Sequence, residues 1–188
     1  PGDIKNLRQT KRCSQAHRSG RNCLQAIRRQ QRKFCHFTSQ KPVILVIGGS
    51  LGAAAVNQAV RNILPKLLES FQVIHLCGKG KLDESLTRVE GYAQFEYIQK
   101  ELKDLFALAD IVISRAGANA ICELLALRKP NILIPLPANA SRGDQILNAR
   151  SFERQGFSIV LEEESLTDKF FWILSTACIR IVIHIQRQ

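Results

Sequence analysis

The sequence predicts an α/β fold built on a doubly wound parallel sheet. Three observations lead there. Val43-Ile44-Leu45-Val46-Ile47 is an unbroken apolar run of strand length, which suits a strand covered on both faces. Runs of this kind then alternate with helical patterns as far as about residue 168. Strand ends pass into helices through glycine turns, at Gly48-Gly49 and at Gly117.

The elements follow in order. After the first strand, Val56, Val60, Ile63, Leu64 and Leu67 form one apolar stripe of a helix. Pro65 predicts an end or kink near Leu64, because proline lacks the N–H a helix interior needs. Gln72–Leu76 reads as a strand ending at Gly78, and 95–98 as a short strand. Leu102–Leu108 reads as a helix and Ile111–Ser114 as a strand. Residues 118–127 read as a helix with Ile121, Cys122 and Leu125 on one side. Past Pro130, 131–135 is a strand, 144–155 a helix with Gly156 as its cap, and 158–161 a last strand.

The 188 residues carry a net charge of +11, unevenly placed. Residues 1–41 carry +10, residues 42–169 carry −1, and residues 170–188 carry +2. The domain organisation expected is therefore a basic flank at 1–41, a nearly neutral domain at 42–168 and an apolar tail at 169–188. Arg8–Lys33 has no repeating apolar face, so the flank is read as disordered or non-native and not as part of a core. The tail, interrupted by Arg180 and His184, is a poor membrane span. The sequence opens on Pro1 and has no Met, so an internal piece of a longer chain or a processed product is expected. Six cysteines at irregular spacing form no CxxC pair, and reduced thiols are expected. No HExxH motif or carboxylate cluster points to a metal, so none is expected.

Three loops at predicted strand ends carry the chemistry, since ligands of such sheets bind there. At 48–53, glycines allow close backbone approach, Ser50 adds a hydroxyl, and the following helix offers free N–H groups to an anion such as a diphosphate. At 114–120 the N–H groups of Ala118, Asn119 and Ala120 would again point at an anion. Glu123 shares the face of Asn119 and suits two ribose hydroxyls. At 141–149, Asp144 and Gln145 could bind sugar hydroxyls, while Asp144 could instead cap its helix. His75 either faces the cleft or is a packing histidine. No Ser/His/Asp arrangement suggests a nucleophile.

These pieces, in order, resemble one family. Ile47-Gly48-Gly49-Ser50-Leu51-Gly52-Ala53, the segment from His75 to Gly78, Tyr97-Ile98, Ala109-Asp110, Ser114-Arg115-Ala116-Gly117-Ala118 with Glu123, Ile134-Pro135-Leu136-Pro137 and Asp144-Gln145 with Asn148-Ala149 resemble the C-terminal, donor-binding half of glycosyltransferase family 28. The resemblance covers about 42–168. It implies a Rossmann-like half of a two-domain GT-B enzyme with no cofactor and no metal. Such an enzyme inverts the sugar as it moves N-acetylglucosamine from UDP-GlcNAc to an undecaprenyl-linked muramyl pentapeptide, at the cytoplasmic face of the inner membrane. By the same resemblance Ser50 serves the diphosphate, Ile98 holds uracil through its backbone, Ala118, Asn119 and Ala120 surround the nucleotide, Glu123 binds the ribose and Gln145 the sugar. Gly49, Gly117 and Asp144 are secondary candidates. The acceptor and the catalytic base belong to a preceding half, so the piece alone is expected to bind donor without turnover. Neither flank follows the family pattern.

Two other readings compete. One is a separate sugar-nucleotide-binding subunit of a split glycosyltransferase or glycolipid synthase. The other is a basic module gripping RNA, which the lack of interleaved aromatics disfavours; no nucleic-acid partner is expected.

Overall fold

The structure, a computed structural model, describes residues 20, 22–49, 53–140 and 143–166. A helix α1 (22–34) leads into β1 (Val43–Ile47), α2 (Ala53–Ser70) and β2 (Gln72–Leu76). A 3₁₀ turn (Glu84–Leu86) precedes β3 (Tyr92–Phe95), α3 (Leu102–Leu108) and β4 (Ile111–Ser114). Then come α4 (Ala118–Ala126), β5 (Asn131–Leu133), α5 (Asp144–Arg154), β6 (Ile159–Val160) and a 3₁₀ turn at Glu163–Ser165.

The six strands form one parallel sheet in the order β3-β2-β1-β4-β5-β6. The order reverses between β1 and β4, which is where an open α/β sheet leaves a crevice beyond its strand ends. Alternate residues of β1 feed the two faces. Val43 and Leu45 join a core with Leu105, Phe106 and Leu108 of α3 and Ile121 and Leu124 of α4. Ile44 and Val46 join the opposite core with Val56, Val60, Leu64 and Leu67 of α2. Burial on both faces is the physical reason β1 reads as continuously apolar.

Two expectations need correction. Helix α2 runs through Pro65 to Ser70 without stopping. A proline inside a helix costs about 3 kcal/mol, yet Leu64 and Leu67 are almost fully buried on either side of it. Burying two leucines returns roughly 1.5–3 kcal/mol each, so packing outweighs the break. Strand β3 lies at Tyr92–Phe95, three residues before the predicted 95–98. Its register is fixed by pairing Val73 with Tyr92 and Leu76 with Phe95. Residues 96–98 thereby become the loop beyond the strand end.

The basic flank is helical from residue 22 and packs from residue 27 onward, contrary to the disorder expected of it; residues 1–19, 21 and 167–188, the whole apolar tail among them, lie outside the described residues. The cause is polar anchoring, which no apolar stripe announces. Arg28 pairs with Asp110 at 2.9 Å and donates to the Ala107 carbonyl at 3.2 Å. Arg32, 8% exposed, donates to Gln72 Oε1 and to the carbonyls of Ser39 (2.9 Å) and Lys41 (3.1 Å). Cys35 and Phe37 then enter the α3–α4 core, and Phe34 stacks on Phe95 with ring centroids 5.3 Å apart.

Candidate functional site

Two clefts open beyond the carboxyl ends of the strands. The first, about 400 Å³, is lined by Ile47, Gly48 and Gly49 after β1, by Ser114, Arg115 and the 117–120 segment around the start of α4, and by Leu136 and Gln145. The second, about 520 Å³ and more apolar, lies between Ile47, Gly49, Leu76, Gly78, Lys79 and the loop Glu96–Tyr97–Ile98, with Leu102 behind. They share Ile47 and Gly49, so one elongated ligand can occupy both. Gly49 at the junction has φ +74°, a left-handed conformation that favours glycine.

The first cleft offers donors. Helix α4 has no side-chain cap at Gly117, and the N–H groups of Ala118, Asn119 and Ala120 carry no hydrogen bond among the described residues. The positive end of the helix dipole therefore faces the cleft. Arg115, also in the lining, is buried. Its guanidinium donates to the carbonyls of Ile134 and Pro135 at 3.2 Å and pairs with Glu163. This ties the β4–α4 loop to the β5–α5 loop. Gln145 Oε1 accepts from Leu136 N–H at 3.2 Å, which fixes the amide and leaves its NH₂ group as a donor for the cleft.

The second cleft has a different character. Ile98 is buried, and its backbone N–H and C=O have no partner among the described residues. An orphan donor and acceptor side by side, against Ile47, Leu76 and Leu102, match the edge and faces of a flat heterocycle.

The structure brings Ile98, Gly49, Gly117, Ala118, Asn119, Ala120 and Gln145 to these clefts. It does not bring Glu123, which is exposed on α4 and lines neither. Asp144 is likewise exposed, as the first residue of α5. The N-cap position belongs to Gly143 (φ +81°), so Asp144 does not cap the helix. Ser50 lies outside the described residues.

His75 is a packing histidine. It is fully buried, with Nδ1 2.9 Å from the Tyr92 hydroxyl and Nε2 2.9 Å from Asn57 Oδ1. Asn57 donates through Nδ2 to the Cys77 carbonyl (2.9 Å), so its oxygen accepts and His75 carries its proton on Nε2. Burial, reinforced by the Arg61 charge, pushes His75 down to about 3, and it stays neutral. Sequence reasoning missed Lys79, on the loop after β2, and the buried Arg115. Among the described residues no three His, Cys, Asp or Glu converge as metal ligands, and no helix is long and apolar enough to cross a membrane.

A sheet with this strand order, a crevice at its reversal point, a helix N-terminus in one lobe and an apolar lobe beside it define a Rossmann-like α/β domain whose ligand cleft lies at the reversal point. Comparison with known proteins narrows the class. The glycosyltransferase family 28 C-terminal domain matches residues 43–172, and the chain belongs to that family. It is 69% identical over 132 residues, 70% of this chain, to a UDP-N-acetylglucosamine–N-acetylmuramyl-(pentapeptide) pyrophosphoryl-undecaprenol N-acetylglucosamine transferase of Lachnospira eligens. It is 51% identical over 169 residues, 90% of this chain, to the Clostridium botulinum protein of the same name. That longer alignment takes in part of the basic flank. The chain spans 37% and 48% of these relatives' lengths. The crystal structure of Acinetobacter baumannii MurG superimposes with a TM-score of 0.63 at 26% identity, over 81% of this chain and 44% of that one.

Proposed function

We propose that these residues form the UDP-N-acetylglucosamine-binding half of an inverting hexosyltransferase that glycosylates an undecaprenyl-linked muramyl pentapeptide in peptidoglycan synthesis. The observation that carries the reading is the pair of clefts joined at Gly49. One is suited to an anion and a polar sugar, the other to a base. The family membership and the names of the relatives support the same substrate class.

In this reading uracil enters the second cleft and pairs with the backbone of Ile98. The diphosphate crosses Gly49 and rests on the N–H groups of Ala118, Asn119 and Ala120, and the family resemblance assigns Ser50 to it as well. Gln145 donates to a sugar hydroxyl. Glu123, outside both linings but one turn below Asn119 on α4, is assigned the two ribose hydroxyls by the family resemblance, with Asp144 and Gly117 as secondary candidates. As the anomeric bond breaks, negative charge grows on the leaving diphosphate. Donors already aimed at it stabilise that charge without rearranging. The base that takes the acceptor's proton, and the grip on the lipid carrier at the cytoplasmic membrane face, belong to a further domain, so the 188 residues bind donor and do not turn it over.

Thermal unfolding with UDP-GlcNAc, against ADP-ribose as control, tests this. A ligand held by the folded state raises the midpoint, by about 2.7 kcal/mol of stability at a hundredfold excess over Kd. The expected result is a rise with UDP-GlcNAc only. A cooperative transition that UDP-GlcNAc leaves in place would refute the donor-site assignment.

A further inference from the structure

The turn after β2 presents a lysine that the donor assignment leaves unused. Gly78 (φ +89°) and Gly80 (φ +68°) flank Lys79, and Lys81 N–H closes the turn onto the Gly78 carbonyl at 3.2 Å. Glu96, on the loop after β3, clamps both sides. Its carbonyl accepts from Gly78 N–H at 3.1 Å, and its Oε1 accepts from Gly80 N–H at 2.8 Å. The one carboxylate lining the second cleft is therefore engaged by backbone, and Lys79 makes no ion pair or hydrogen bond among the described residues. Lys79 lines the second cleft together with the unpartnered backbone of Ile98, and it is absent from the lining of the first. An uncommitted cation thus stands in the apolar lobe, away from the helix N-terminus that faces the anion.

We propose that Lys79 selects the nucleobase, donating to the C4 carbonyl that uracil has and cytosine lacks. This rests on the nucleotide reading above and deepens it. Ile98 supplies one donor and one acceptor, which match a ring carbonyl and the adjoining N3–H. The carbonyl oxygen has a second lone pair, and an ammonium brings donors only. Cytosine puts an amino group there, so two donors would meet and the lysine would be left unpaired. A site built to hydrogen-bond one group rejects the analogue that lacks it.

The test is calorimetric titration of UDP and of CDP into the full 188-residue chain and its Lys79→Met and Lys79→Arg variants. Lys79 is exposed, so both variants should fold, which circular dichroism checks. Lys79→Met should weaken UDP about tenfold or more and CDP less than about twofold, cutting the preference for UDP about fivefold or more while the backbone of Ile98 keeps the remainder, as for one lost charged hydrogen bond. Lys79→Arg should keep most of the preference. Equal weakening of UDP and CDP would assign the cation to the diphosphate and overturn the proposal, as would unchanged binding of both. Folded wild-type chain that binds neither nucleotide would instead overturn the nucleotide reading itself, and base selection with it.

Discussion

The two ends of the sheet treat their polar groups in opposite ways. At the amino ends of the strands the charged side chains are tied down, although Gln31 Oε1, Asn131 Oδ1 and Ser158 Oγ are buried without a partner among the described residues. Asp110 accepts from Val43 N–H at 2.8 Å and from Arg28, Arg32 is enclosed by Gln72 and two carbonyls, and Lys129 donates to the Ala109 carbonyl at 2.8 Å. At the carboxyl ends the N–H groups of 118–120, the backbone of Ile98 and the ammonium of Lys79 stand open around two clefts. Binding needs uncommitted donors, and uncommitted donors add no stability. The difference teaches that one end holds the domain together so that the other can be left unsatisfied.

The largest expected effect breaks the closed end. Arg32→Ala would leave Gln72 Oε1 and two carbonyls without their donor in a buried place. Breaking such a cluster costs about 3–5 kcal/mol, read as a fall in the urea midpoint. A loss under about 1 kcal/mol would mean that α1 is not held by this arginine. Asn119→Ala, at the open end, should leave stability within about 0.5 kcal/mol.

His75 sharpens the comparison by pH. It is pushed down to about 3 in the folded protein and titrates near 6.5 when unfolded. Above about pH 6.5 both states are neutral at this site and its contribution is complete. As pH falls toward 3 the unfolded state takes up a proton that the folded state refuses. Stability then drops by up to about 1.4 kcal/mol per pH unit from this group. Urea unfolding at pH 7 and pH 5 reads the slope, and a His75→Gln variant should flatten it. A smaller effect at the open end is ligand-specific. Glu123→Ala should weaken UDP-GlcNAc by about 1.5–3 kcal/mol with no change in stability, measured by titration. Unchanged affinity would remove the ribose assignment.

Much of this fold was legible because its signals are local and apolar. Leu102–Leu108 and Ile111–Ser114 fall where periodicity puts them, and the glycine loops mark the strand ends. The lining residues were legible through their spacing after strands. Three things were not. Arg28 and Arg32 looked like solvated charge, since their partners Asp110 and Gln72 lie 82 and 40 residues away. Lys79 drew no reading from the sequence, because its place in the cleft depends on the loop after β3. The third is how helices end. α1, α4 and α5 close with the same pair of bonds: Phe37 to Arg32 and His36 to Lys33, Lys129 to Leu124 and Arg128 to Leu125, Phe157 to Phe152 and Gly156 to Glu153. Each needs a left-handed residue at the turn. Only Gly156 announces it.

That contrast gives the smallest prediction. Arg128 has φ +50°, and a side chain in that conformation costs about 1–2 kcal/mol relative to glycine. Glycine there would relieve that strain but would also free the unfolded chain, which takes back part of the gain. Arg128→Gly should therefore stabilise the protein by about 0.5–1 kcal/mol, seen as a higher urea midpoint at unchanged slope. Gly156→Ala, at the matching turn (φ +73°), should destabilise it by about the same amount, since a Cβ there meets no atom within 4 Å and only the backbone conformation resists it. Opposite signs at two turns with one hydrogen-bond pattern would isolate the conformational cost from packing. Equal signs would show that Arg128 does something at the closed end beyond terminating its helix.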